Sequence, residues 1–173
     1  MSDSPFDPFP LKWVLLTPDP STGTVAIPPF AVSTGTGQRT EVVGRVTVRS
    51  SVLPGRVFLT GNRLSIITAD SVREIRVDCP GLTPVEVLVN PDNATLLAWL
   101  PWHFADAAPP GAITAGWHHL LQEPVFVARP EGGQASHQKA GWTSASSHGV
   151  VFGLNGSRHH AGCLVLCLLD AMP

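Results

Sequence analysis

Short apolar runs cut by turn residues set the rhythm of this chain. Glu41–Ser51 alternates in part: Val42, Val46 and Val48 stand against Arg45, Thr47 and Arg49. A period of two assigns one set to a buried sheet face and the other to solvent. Val57–Thr60 and Leu64–Thr68 are apolar and β-branched, separated by Gly61-Asn62, and Val72–Val77 and Val85–Asn90 repeat the pattern. Leu11–Thr17, Thr24–Val32 and Thr95–Leu100 add further candidate strands, and Pro124–Ala128 reads as the last core strand. The punctuation is Pro18–Gly23, Pro54-Gly55, Pro80-Gly81 and Asn90–Asn93, with Pro28-Pro29 marking a strand end because neither residue donates to a ladder. Many short strands spaced by turn dipeptides predict an all-β sandwich or barrel.

The remainder reads differently. Residues 1–10 form a proline-punctuated arm, residues 11–128 the β domain, and residues 129–173 an extension. Ala105–Gly116 is Ala/Pro/Gly-rich and reads as a loop, and Gly116–Gln122 fits one helical turn. Arg129–His148 is rich in Gly, Ser, His and Gln with little to bury, which predicts a flexible segment. A short apolar end, Val150–Leu154 and Cys163–Leu169, follows it.

Composition narrows the function classes. Charged residues are 14% of the 173, against roughly 25% in an average domain. So little charge predicts surfaces that take a partner. The net charge of −2 and the scattered basic residues leave no electrostatic footprint for nucleic acid. The first ten residues lack the basic and apolar regions of a signal peptide, and no apolar run reaches the ~18 residues of a membrane helix. Three cysteines in such a chain read as free thiols, which leaves the sequons at Asn93 and Asn155 without meaning.

Candidate chemistry is sparse. His159, His160, Cys163 and Cys167 have metal-ligand residue types, but their apolar surroundings and the lack of a CxxC favour burial, so no metal is assigned. The histidines at 103, 118, 119, 137 and 148 offer bases, yet no GxSxG elbow accompanies them. Gly132-Gly133 and Ala140–Ala145 match no phosphate-loop fingerprint. Trp99 and Trp102 follow a strand and are expected to close the core. Trp117 and Trp142 lie in loop-like sequence and are the binding candidates, since Trp is enriched at interface hot spots.

Three features within Val25–Asn90 carry a family resemblance. They are Val25-Ala-Ile-Pro-Pro29, then Arg49-Ser-Ser51 leading to Val52-Leu-Pro-Gly55, then Asp78-Cys-Pro-Gly81 followed by Val85-Glu-Val-Leu-Val-Asn90. In that order they resemble the dUTPase-related proteins of large DNA viruses, including herpesvirus dUTPase-like accessory proteins and adenovirus early proteins derived from dUTPase. The family's Tyr and Arg between Asp and Gly are Cys79 and Pro80 here. Thr95–Phe104 stands where Gly-Asp-Arg-x-Ala-Gln is expected, the terminal lid is echoed only by Gly141-Trp-Thr-Ser144, and the chain has no tyrosine.

The resemblance implies a dUTPase-like or jelly-roll-like single domain with a flexible C-terminal extension. It further implies a catalytically inactive viral accessory protein that binds a host or viral protein in the host cytoplasm or nucleus, with effects on innate immune signalling or viral gene expression. An active member would use Asp78 to activate water, Ser50 to contact phosphate and Trp142 to stack on the base, with magnesium; an inactive one needs no cofactor. A viral coat or decoration protein is the third reading, since short-stranded sandwiches serve capsids.

Overall fold

The structure, a computed structural model, describes residues 10–35, 41–60, 63–70, 73–77, 83–104, 106–132, 140–151, 158–159 and 162–169. The strands are β1 (Lys12–Leu15), β2 (Val42–Val48), β3 (Ser51–Thr60), β4 (Arg63–Asp70), β5 (Arg73–Val77), β6 (Val85–Val89), β7 (Leu97–Trp102), β8 (Thr114–His118), β9 (Glu123–Pro130), β10 (Gly141–Thr143), β11 (Val150–Val151), β12 (Arg158–His159) and β13 (Cys163–Leu168). They form two antiparallel sheets. The first runs β1-β6-β2-β3-β4-β5, and the second runs β12-β11-β10-β9-β13-β7, with β8 paired to β9. The chain is therefore an all-β single domain, a sandwich and not a barrel. No helix among the described residues is long and apolar enough to cross a membrane.

Both sheets bury both faces, which explains the low charge. Between the sheets, Trp13, Val43 and Leu88 meet Ile113, Ala115, Val127 and Leu166. Beside them, Leu53 and Ala69 meet Val125, Trp142 and Val151. Successive residues of a strand point to opposite faces, so Val42, Val46 and Val87 turn the other way. The irregular segment after β1 covers them with Leu16, Val25, Ile27 and Ala31. The second sheet repeats the arrangement: Ala128, Val165 and Cys167 face away from the sandwich centre under Phe104, Ala108 and Ala112. A strand covered on both sides has no reason to alternate polar and apolar.

That double burial corrects several sequence expectations. Arg45 does not face solvent; it is 3% exposed on the inter-sheet side of β2. Its guanidinium stacks over Trp13 at 4.4 Å, and Nε donates to Glu86 Oε2 at 2.7 Å across the β2–β6 pair. Pro54-Gly55 is not a turn but lies inside β3. Proline is tolerated there because the β3–β4 ladder begins only at Arg56–Ile67. The turn is instead Arg49-Ser50, both at positive φ (45° and 68°) between the paired Val48 and Ser51, as a two-residue hairpin with the twist of its strands requires. Thr24–Val32 forms no regular strand, only an isolated bridge at Ala31.

The boundary at residue 129 falls inside β9. The described residues beyond it include four strands of the second sheet: β10 is wholly buried, and β13 pairs with both β7 and β9, while residues 133–139 of the segment expected to be flexible lie outside the described residues. Polar composition misled here because the Thr143 and Ser147 hydroxyls and the Ser144 backbone bond to one another inside the fold. Ser147 Oγ lies 3.1 Å from Thr143 Oγ1 and accepts from Ser144 N at 3.0 Å.

Candidate functional site

The β8–β9 hairpin presents the densest exposed apolar surface among the described residues. The register Trp117–Pro124 and His118–Glu123 leaves a four-residue loop, His119-Leu120-Leu121-Gln122. The expected helical turn over Gly116–Gln122 is this strand end and loop. A bulge between Thr114 and Gly116 resets the alternation, and from there period two holds: Gly116 and His118 are buried, while Trp117 is 37% exposed. Leu120 is 80% and Leu121 39% exposed, so three large apolar side chains share one tip.

The tip is held in shape from inside. Gln122 N donates to His118 O at 2.9 Å, and Gln122 takes a positive φ of 55° to close the loop. Leu121 N donates to His118 Nδ1 at 3.3 Å, and Gln122 Nε2 donates to His119 O. His118 is itself fixed, 2% exposed with its ring 5.1 Å from that of Trp142. Below the loop, β8 lies almost on β3: a Cβ at Gly116 would stand 2.4 Å from Val52 O. Glycine is needed there for the close approach, not for its dihedral freedom. His119 N donates to Ser51 Oγ at 2.9 Å, tying the loop to the β2–β3 turn. On the other flank, Ser146 N and Oγ donate to the Glu123 carboxylate.

The positions singled out in the sequence sort clearly against this frame. Trp117 is on the tip. Ser50 is exposed in the adjoining β2–β3 turn. Trp142 sits beneath the tip but offers no binding face, a correction to its reading as an exposed loop residue. It is 0% exposed in β10 and its Nε1 donates to Ala69 O. Gly141–Thr143 pairs with Phe126–Ala128, so that stretch forms ladder and not a phosphate cradle. Asp78 lies outside the described residues, as do His160 and the side chain of His159. Cys163 and Cys167 are buried four residues apart on one strand face. Burial pushes their thiols up to about 12 and about 11, despite the Thr143 hydrogen bond on Cys163. Neither is a nucleophile at neutral pH.

Leu120 and Leu121 were missed because a Leu-Leu pair between His and Gln reads as the buried side of a helical turn. Only the strand pairing on either side reveals that the pair has nowhere to be buried. No protein-family model matches the chain, and comparison with curated proteins finds no match either.

Proposed function

We propose that this chain is a non-enzymatic binding module, of the accessory kind implied by its resemblance to viral dUTPase-related proteins, that docks a host or viral protein through the β8–β9 tip. One observation carries the reading: Trp117, Leu120 and Leu121 are exposed together on a loop whose shape is fixed by internal hydrogen bonds. A preformed apolar loop loses little conformational freedom on association, and a Trp within it is a favoured hot spot. The interior chemistry supports binding over catalysis. The buried thiols are held protonated, and His118 is committed to the loop.

The test is capture of a partner from host or infected cells by the tagged chain, then affinity measurement with Leu120→Asp and Leu121→Asp. Each variant is expected to keep parental stability to within about 0.5 kcal/mol, as surface changes do. Each should lose roughly 30-fold or more in affinity, the scale of a hot-spot truncation. Unchanged affinity in both variants removes the tip from the proposal. Under this reading dUTP with magnesium gives no heat in calorimetry at millimolar nucleotide. A micromolar isotherm abolished by Asp78→Asn would assign a residual dUTP nucleotidohydrolase instead.

A further inference from the structure

Three arginines whose side chains are described lie against the interior, and they are not treated alike. Arg45 meets Glu86 in a two-pronged contact, Nε to Oε2 at 2.7 Å and Nη2 to Oε1 at 3.1 Å. Arg56 meets Glu41 at 3.4 Å. Arg129 meets no carboxylate within salt-bridge distance among the described residues. Its guanidinium lies 4.5 Å from the centre of the Trp99 ring, and Nη1 donates to Thr34 O across a long 3.4 Å. Nε is enclosed and has no hydrogen-bond acceptor. The Ser33–Gly35 turn bends over the group so closely that a Cβ at Gly35 would stand 2.9 Å from Nη1. Glu131, just past the end of β9, has its carboxylate against Gly162 instead.

A guanidinium nitrogen taken out of water normally has an acceptor. Arg129 is half-buried, yet its enclosed Nε has none and no carboxylate meets it among the described residues, while the aromatic plate and the turn hold it in one orientation. Nη1 is taken by Thr34, which leaves the Nε–Nη2 edge. That edge gives two parallel N–H···O bonds to a carboxylate or phosphate group. Because Nε is enclosed, a ligand that engages both nitrogens requires a local shift of the packing around it. Partial desolvation disfavours the charged guanidinium, and an arriving negative charge offsets that cost. We infer that Arg129, Trp99 and the Ser33–Gly35 turn form a binding site for an oxyanion, a phosphate or carboxylate group, at the end of β9 away from the hairpin tip. The site stands independently of the proposed docking function.

The experiment follows the full chain by thermal melting and by the Arg129 side-chain Nε–H signal in NMR. Sodium phosphate, sulfate and acetate are each titrated against sodium chloride at matched ionic strength. A saturable rise of about 5 °C at ligand well above its dissociation constant is expected, together with a shift of the Nε–H signal. Arg129→Met, which keeps the stem over Trp99, should lose the rise. A response to phosphate and sulfate alone assigns a tetrahedral oxyanion, and a response to acetate alone assigns a carboxylate. The inference is overturned if no anion moves the Nε–H signal, or if Arg129→Met melts with the same anion dependence as the parent. The NMR readout decides the matter on the unmodified chain should the variant fail to fold.

Discussion

At the scale of single residues, the instructive case is Arg45. A charged side chain in a strand is ordinarily a sign of the solvent face, and its place in the partial alternation of β2 pointed the same way. It is instead an interior group, made tolerable by Glu86, by Ala115 O at 3.2 Å and by the face of Trp13. Removing one partner of such a pair leaves an uncompensated charge, whereas removing both leaves a packing problem only. Glu86→Gln is therefore expected to destabilise the fold by about 2 kcal/mol, a figure held below the fully buried case because the Glu86 side chain is 31% exposed. Arg45→Met combined with Glu86→Leu should return to within about 1 kcal/mol of the parent in urea denaturation. If the double variant is less stable than Glu86→Gln, the pair contributes net stability and the desolvation argument fails.

At the scale of elements, β13 shows how much of the sandwich was legible and how much was not. Its apolar run, Cys163–Leu168, was visible in the sequence, but nothing local marks it as a strand buried on both faces between β7 and β9. Its two cysteines record that burial. A thiol pushed up from an ordinary 9.0 to about 12, as at Cys163, or to about 11, as at Cys167, holds its proton in the folded state after the unfolded chain has released it. The stabilisation is therefore complete below about pH 9 and is lost as the pH rises through the folded values. Urea midpoints should fall between pH 9 and 11 more steeply in the parent than in Cys163→Ala/Cys167→Ala. At pH 8 both thiols should resist a thiol reagent until the fold opens. A parallel fall in parent and variant, or immediate labelling, would place these cysteines outside the core. The strands of the first sheet were readable from their β-branched apolar runs, although Pro54-Gly55 falsely divided β3. β10 was not, since three residues are too few to show a period, and the β8–β9 tip was not, since its exposure depends on which strands pair.

At the scale of the whole molecule, the second sheet is assembled from distant segments, and this sets the folding unit. β7, at residues 97–102, pairs with β13, at 163–168, and β9 lies between β13 and β10. The chain up to residue 128 contains every turn-framed strand that the sequence displays plainly, so composition alone makes it look like a finished domain. The sandwich shows why it is not. Without residues 129–173, β7 loses the partner of its entire length and becomes an open edge. The inter-sheet core loses Trp142, Val151 and Leu166. Of its buried partners in the second sheet, the inter-sheet face of the first sheet would keep only Ile113, Ala115, Val125 and Val127, and the apolar surface left uncovered favours association over folding. The 1–128 fragment is expected to give a collapsed amide spectrum and no cooperative urea transition, while the full chain gives a dispersed spectrum and a single transition. A fragment with dispersed amides and the parent's transition would show that the second sheet is an addition to a self-sufficient domain. In that event the tip at Leu120 and Leu121 would be held by its own hydrogen bonds, by the β8–β9 pairing and by β3 with Ser51, without Trp142 beneath it.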